Sequence, residues 1–288
     1  IAKKNKNLMV LTSDVSTSAG LDRFRKNFTN QYVDVGIAEQ NLIGIAAGMS
    51  SEGFDVITTT FSPFQILRCC EQIKVNISYM NIKVIMVGLA SGVSLGTLGY
   101  THCSIEDVSI ARSIPNLDVI CPSDGLETIK SLEHALISKN SSYIRLTGTS
   151  NNPIINEKDY KFEIGKGVIV RDQKEPDVII LASGSMVSHS TQASEILANN
   201  KIKCKVVNIH TLTKLDEELL IDIGKTGKLI VTVEEHSLIG GLFSLISEFY
   251  SKKNINIKIL PIGHPHNYGK GGEYKYLLNK YGLDKLGI

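Results

Sequence analysis

Short apolar runs alternate along the chain with longer segments whose apolar positions recur at helical spacing. That alternation predicts mostly parallel sheets flanked by helices. In the first half, strands are expected at 8–12, 31–35, 55–60, 82–89, 117–121 and 142–146, with helices at 38–51, 62–79, 104–113 and 125–138. Several of these strands are apolar throughout, Val84-Ile85-Met86-Val87 among them, as strands are when helices cover both faces of a sheet. The stretch 147–161, TGTSNNPIINEKDYK, is polar, contains Pro153 and follows neither period, so it reads as a linker. Beyond it the rhythm restarts, with strands near 177–182, 204–209, 228–233 and 256–261 and helices at 187–199, 216–224, 241–252 and 273–281. The expected fold class is α/β: two tandem doubly wound domains with mostly parallel sheets, at 1–150 and 163–288. The opening IAKKNKN reads as the tail of a helix that begins before the numbered chain.

Composition narrows the function classes. A length of 288 residues suffices for two sizeable cores. The net charge of +2, without Lys/Arg clustering, gives no footing for nucleic acid or an anionic membrane surface. No apolar run reaches the ~20 residues of a membrane span, and no signal peptide is visible. Five cysteines (Cys69, Cys70, Cys103, Cys121, Cys204) show neither C-x-x-C nor metal-ligand spacing. Free thiols in a reducing cytoplasm are the simple expectation, and no metal site is assigned.

In doubly wound sheets, ligands bind outside the carboxyl ends of the strands. The segments to inspect are therefore 13–20, 36–40, 60–64, 89–102 and 122–125. Glu39 falls in the first turn of a predicted helix after Gly36, where an acid equally serves the helix dipole. That helix carries Gly44, Ala46, Ala47 and Gly48, small residues that let another backbone or ring approach closely. Phe61 and Phe64 stand at i and i+3, a spacing as suited to a core as to a ring pocket. A glycine-rich loop with Gly92, Gly96 and Gly99 lacks the endings of a P-loop or a dinucleotide site. It lies close to something that the sequence does not name. His102 precedes a predicted helix for which Ser104 is the expected N-cap.

Order and spacing join these weak signals. The runs G-I-A-E-Q-N (36–41), T-F-x-x-F (60–64) with Arg68 and Glu71-Gln72-Ile73 after it, T-H-x-x-I-E-D (101–107) and P-x-L-x-V-I-x-P-S-D (115–124) together resemble the pyrimidine-binding domain of transketolases. The second half resembles the transketolase C-terminal domain through VIILASGSMV (178–187), VVNIHTLTKLD (206–216) and VTVEEHSLIGGL (231–242). The resemblance implies a thiamine diphosphate-dependent transfer of a two-carbon ketol unit between sugars, in which the cofactor carries the chemistry. Glu39 matches the glutamate that hydrogen-bonds the aminopyrimidine and promotes the imino form that deprotonates C2. Phe61 and Phe64 match the aromatic pocket of the pyrimidine, Arg68 beside them is a further expected cofactor-binding position, and Asp14 matches an aspartate near the thiazolium that also contacts the cofactor. His102 matches a substrate-side histidine, and Ser18, Thr97 and Leu98 are the further expected substrate-binding positions.

The G-D-G…N segment that holds Mg²⁺ and the diphosphate in whole transketolases has no match in this sequence. The resemblance therefore implies a split enzyme, in which an N-terminal, diphosphate-binding subunit completes an α2β2 assembly and holds most of the Mg²⁺ contacts. The chain also departs from the family. Leu98 replaces the aspartate of G-E-D-G-x-T-H, Ala90 a phosphate-contacting histidine and Gly148 an arginine. Each lost contact to a polar substrate costs roughly 1–3 kcal/mol, so an unusual sugar is expected in place of a routine pentose phosphate. Competing readings are the β subunit of a 2-oxo acid dehydrogenase E1 component, a 1-deoxyxylulose-5-phosphate synthase-like enzyme and a non-catalytic cofactor-binding subunit. Glu234-Glu235-His236 reads as structural or interfacial, and His264-Pro265-His266 as a surface turn.

Overall fold

The structure, a computed structural model, describes residues 1–147, 153–155 and 160–288. Its first half runs β1 (Leu8–Thr12), α1 (Asp22–Asn27), β2 (Tyr32–Asp34), α2 (Glu39–Ser51), β3 (Asp55–Phe61), α3 (Ser62–Ile66), α4 (Cys70–Gln72), β4 (Val84–Ser91), α5 (Asp107–Arg112), β5 (Leu117–Ile120), α6 (Gly125–Ile137) and β6 (Ser141–Thr147). The second half runs β7 (Val168–Arg171), β8 (Val178–Ala182), α7 (Met186–Asn199), β9 (Cys204–Asn208), α8 (Glu217–Lys225), β10 (Leu229–Ser237), α9 (Leu242–Lys252), β11 (Ile259–His264) and α10 (Tyr274–Lys280).

Two sheets result, and the expected α/β class is what the chain adopts. The first has six parallel strands in the order β2-β1-β3-β4-β6-β5. Its order reverses at β1, which places a crevice between the loops that follow β1 and β3. The second sheet has the order β11-β10-β8-β9-β7 and is parallel except for β7, which pairs antiparallel with β9. Apolar runs form these strands because helices shield both faces: all five residues of β1 are buried. The halves share a core, since Val119 and Cys121 lie in one apolar cluster with Ile209 and Leu212. Backbone bonds stitch the same seam, Cys121 N–H to His210 O at 2.7 Å and Leu212 N–H to Val119 O at 2.8 Å.

Several expectations need correction. The helix anticipated over 62–79 is interrupted: α3 stops at Ile66, a turn and α4 follow, and a π-helix spans Ile73–Tyr79. The Leu67 amide makes the ordinary i−4 bond to Pro63 O at 3.0 Å, but Arg68 reaches the same oxygen at 3.2 Å, an i−5 bond that widens the last turn. The helix anticipated over 104–113 begins at Asp107, and Ser104 is not its cap. Ser104 exchanges both backbone bonds with Gly92, at 2.8 and 2.9 Å, and so belongs to an isolated bridge. The elements α1 and β7 were not anticipated, and β11 starts three residues later than expected. Residues 1–7 hold a turn closed by Asn5 N–H to Ile1 O at 3.0 Å instead of a helix tail. Of the linker, Ile155 donates its amide to Asp124 Oδ2 at 2.7 Å and the Tyr160 hydroxyl donates to Glu127. Gly148 and the rest of 148–152 and 156–159 lie outside the described residues.

Candidate active site

Glu39 owes its place to a clasp between the ends of β1 and β2. Asp34 Oδ1 accepts the amides of Asp14 (2.9 Å) and Gly36 (3.0 Å). Ser13 Oγ donates to Gly36 O at 2.6 Å and accepts the Ala38 amide at 3.1 Å. Gly36, at φ +71°, makes the reversal that a side chain would strain. α2 then starts at Glu39, whose side chain is 5% exposed. One carboxylate oxygen, Oε2, accepts Arg68 Nη1 at 2.6 Å; Oε1 accepts no bond from any described residue.

The loop after β3 brings the aromatic groups to the same acid. Arg68 lies over the Phe64 ring, its guanidinium carbon 4.0 Å from the centroid. Phe61 meets Phe64 edge-on at 6.2 Å, and His102 meets Phe64 edge-on at 5.4 Å. His102 is held in turn by Thr101 Oγ1, 3.0 Å from Nδ1. Glu39, Arg68, Phe64, Phe61 and His102 thus form one connected group at the carboxyl edge of the sheet, beside its switch point. Both phenylalanines are half-buried, and the Arg68 guanidinium covers one face of the Phe64 ring. Asp14 (φ +55°), Ser18 and Thr97 lie on neighbouring loops, and no side-chain bond or ring contact among the described residues joins them to this group, whereas the Leu98 carbonyl accepts the Thr101 hydroxyl (3.4 Å) that holds His102. Thr97 and Leu98 are exposed at a loop tip, Leu98 by 56%.

The glycine-rich loop faces the second half of the chain. A Cβ on Gly92 would lie 2.1 Å from Glu235 Oε1, and one on Gly96 2.1 Å from Leu277 Cδ1. Glu235 accepts the Val93 amide (2.9 Å) and the hydroxyls of Ser185 (2.8 Å) and Tyr274 (2.7 Å). Next to it, Asp107 Oδ2 accepts Arg145 Nε at 2.8 Å and the Tyr143 hydroxyl at 2.6 Å. Burial would raise the Asp107 carboxyl, but the Arg145 charge and these bonds hold it below the usual carboxylate range. Burial pushes Glu234 up to about 7, although it accepts two amides at the start of α9, and lowers His236 to about 4. Glu235 and His236 serve the seam between the sheets, His236 accepting the Ser109 amide at Nε2 (3.4 Å), whereas Glu234 caps α9 within the second half.

His264 departs from the expected surface turn. It is fully buried, donates from Nδ1 to Pro265 O at 2.8 Å and accepts the Tyr100 hydroxyl at Nε2, 2.7 Å away. Among the described residues no three His, Cys, Asp or Glu side chains are grouped to hold a metal. All five cysteines are free thiols; burial, helped by the Glu39 charge, pushes Cys69 up to about 12. Sequence reasoning missed Ser13 and Asp34. Their signal was modest: a Ser-Asp pair closing one strand and an acid two residues before the turning glycine of the next.

Residues 1–152 match the family described as transketolase, pyrimidine binding domain, and residues 165–288 match the transketolase C-terminal domain. The chain is 37% identical over 285 residues to a transketolase C-terminal section of Methanocaldococcus jannaschii, covering 99% of this chain and 89% of that one. It is 34% identical over 282 residues to the 6-deoxy-6-sulfo-D-fructose transketolase subunit SqwH of Clostridium sp. strain MSTE9, covering 98% of this chain and 86% of that one. Among solved structures, a split gene transketolase described as an inactive beta4 tetramer superposes with a TM-score of 0.88 at 32% identity, covering 99% of this chain and 90% of that one.

Proposed function

Because the chain belongs to the transketolase family, we infer that it is one subunit of a split, thiamine diphosphate-dependent transketolase that moves a two-carbon ketol unit between sugars. The observation that carries this reading is Glu39: a buried carboxylate with one oxygen free, beside two half-buried phenyl rings. That donor set fits an aminopyrimidine, which offers a ring nitrogen to the acid and a flat face to Phe64 and Phe61. When bound, thiamine diphosphate supplies the electron sink for carbon–carbon bond cleavage. Glu39 holds a proton at the edge of that ring, and the phenyl rings orient it and exclude water. On the thiazolium and sugar side stand Asp14, His102, Ser18, Thr97 and Leu98. We assign residues 1–150 to the pyrimidine-binding unit and 163–288 to the C-terminal unit.

The partner is a diphosphate-binding subunit that brings Mg²⁺, in an α2β2 complex. A face suited to it runs from Glu39 along α2: Ile37 is 78% exposed, and the space above Gly44 and Gly48 is open for 4 Å. The similar β-type chain that forms an inactive tetramer supports the need for a second subunit. The complex works in the cytoplasm, where the five free thiols stay reduced. Its substrate is an unusual sugar: Leu98 offers no hydrogen bond where ordinary family members present an aspartate. A relative named for a sulfonated ketose supports such a departure.

Reconstitution with the diphosphate-binding subunit tests the reading. Ketol transfer is expected with E39Q losing at least ~100-fold in kcat while its melting temperature stays within a few degrees of wild type. Unchanged activity in E39Q leaves Glu39 a structural role only. Efficient turnover of xylulose 5-phosphate with ribose 5-phosphate defeats the substrate proposal.

A further inference from the structure

Arg68 makes the two contacts that the aminopyrimidine requires. Its guanidinium is flat, lies on the face of Phe64 at 4.0 Å, and donates to Glu39 Oε2 at 2.6 Å. A heteroaromatic ring seated in the same pocket would also lie against phenyl and offer its edge to Glu39. Two flat groups do not share one face of one phenyl ring at van der Waals distance. Resting on the cofactor reading above, we propose that Arg68 is a stand-in for the cofactor ring: it occupies the slot until the pyrimidine displaces it.

The anatomy of the segment fits that role. The backbone of Arg68 is fixed, its amide on Pro63 O at 3.2 Å and its carbonyl accepting Gln40 Nε2 at 3.2 Å. The side chain is 43% exposed while Glu39 is 5% exposed, so the guanidinium can swing into water with little loss of hydration. Glu39 cannot follow. A buried carboxylate without a donor is costly, so in the empty subunit Arg68 keeps Glu39 satisfied, and in the loaded one the ring takes over. Arg68 is thus a positioning residue. It bridges the acid and the phenyl ring, at the expense of cofactor affinity. The apparent dissociation constant rises by the reciprocal of the fraction of molecules whose slot is open.

This reverses what the resemblance suggested for Arg68, a direct contact to the cofactor. The two roles predict opposite signs. The complex of this chain with its diphosphate-binding subunit, as wild type, R68A and R68Q, is titrated with thiamine diphosphate at saturating Mg²⁺ in a calorimeter. Both variants are expected to bind roughly 3–10-fold more tightly than wild type. The advantage narrows between ~0.05 M and ~0.5 M NaCl, because salt weakens the ion pair that wild type must break. Without cofactor both variants melt lower than wild type, and the cofactor restores more of that loss than it adds to wild type. Weaker or unchanged binding in both variants, with wild type binding normally, overturns the stand-in role alone. A wild-type complex that takes up no thiamine diphosphate overturns the functional reading and this inference together.

Discussion

Gly92 and Glu235 meet across the seam between the two sheets so closely that a single methyl group on Gly92 would fall 2.1 Å from the carboxylate. The glycine-rich loop is therefore a docking element between halves of the chain, and its sequence answers to Glu235 and Leu277 as much as to any ligand.

Gly20 supplies the control. Both glycines sit at φ +67°, but nothing lies within 4 Å of a Cβ on Gly20. G20A measures only the strain of a left-handed alanine, about 1 kcal/mol. G92A adds the collision with a carboxylate held by three hydrogen bonds, for a total about 2–3 kcal/mol larger. Urea denaturation of the two variants checks the difference, and equal losses would mean that the seam yields freely.

Asp107 and Arg145 are both buried, at 0% and 5% side-chain exposure, and form a pair with a hydrogen bond from Tyr143. D107N leaves a guanidinium inside the protein without its counter-charge and is expected to cost about 3–5 kcal/mol. Replacing the pair together, D107L with R145M, should recover most of that loss. Because the folded Asp107 lies below its usual value, the stability it contributes is present above the unfolded value of 3.8 and is lost as pH falls through the folded one. Chemical denaturation of the single and double variants, followed toward acid, tests both statements.

His236 and Glu234 oppose one another. Folding lowers His236 from 6.5 to about 4, so the unfolded chain binds a proton there that the folded chain refuses, and stability is lost as pH falls through that window. Folding raises Glu234 from 4.5 to about 7, so the folded chain keeps a proton that the unfolded chain has shed, and stability declines as pH rises through that window. H236N removes the first contribution only. Its stability relative to wild type should be lowest near ~pH 7.5 and improve by about 2–3 kcal/mol near ~pH 4.5. A difference that does not vary with pH contradicts the assignment.

Ser13 touches no ligand position, yet its hydroxyl ties the turn that ends at Glu39, through Gly36 O at 2.6 Å and the Ala38 amide at 3.1 Å. S13A is expected to cost about 1 kcal/mol in stability. In the reconstituted complex kcat should fall roughly 10-fold with a smaller change in KM, since small displacements of an acid weaken proton transfer steeply. Steady-state kinetics beside a thermal melt separates the two effects, and full activity in S13A would release Glu39 from the clasp.

The sequence by itself determined the elements whose cause is local. Apolar runs and helical spacing located most strands and helices of both sheets, because periodicity is written within a dozen residues. It also placed Glu39 at a helix start after Gly36, where the structure has it. The tertiary structure decided what depends on distant residues. The break after Ile66 comes where the Arg68 amide reaches back to Pro63 O, and the Arg68 side chain there meets Glu39, 29 positions away in sequence. Ser104, a plausible cap by its local pattern, pairs with Gly92, and His264, beside a proline, is buried against Tyr100. Glu39 shows both levels at once: a first-turn acid by sequence, and by tertiary packing a buried carboxylate with one oxygen held and one free. Local backbone preference fixes where a side chain starts, whereas burial and pairing across the fold fix what it meets.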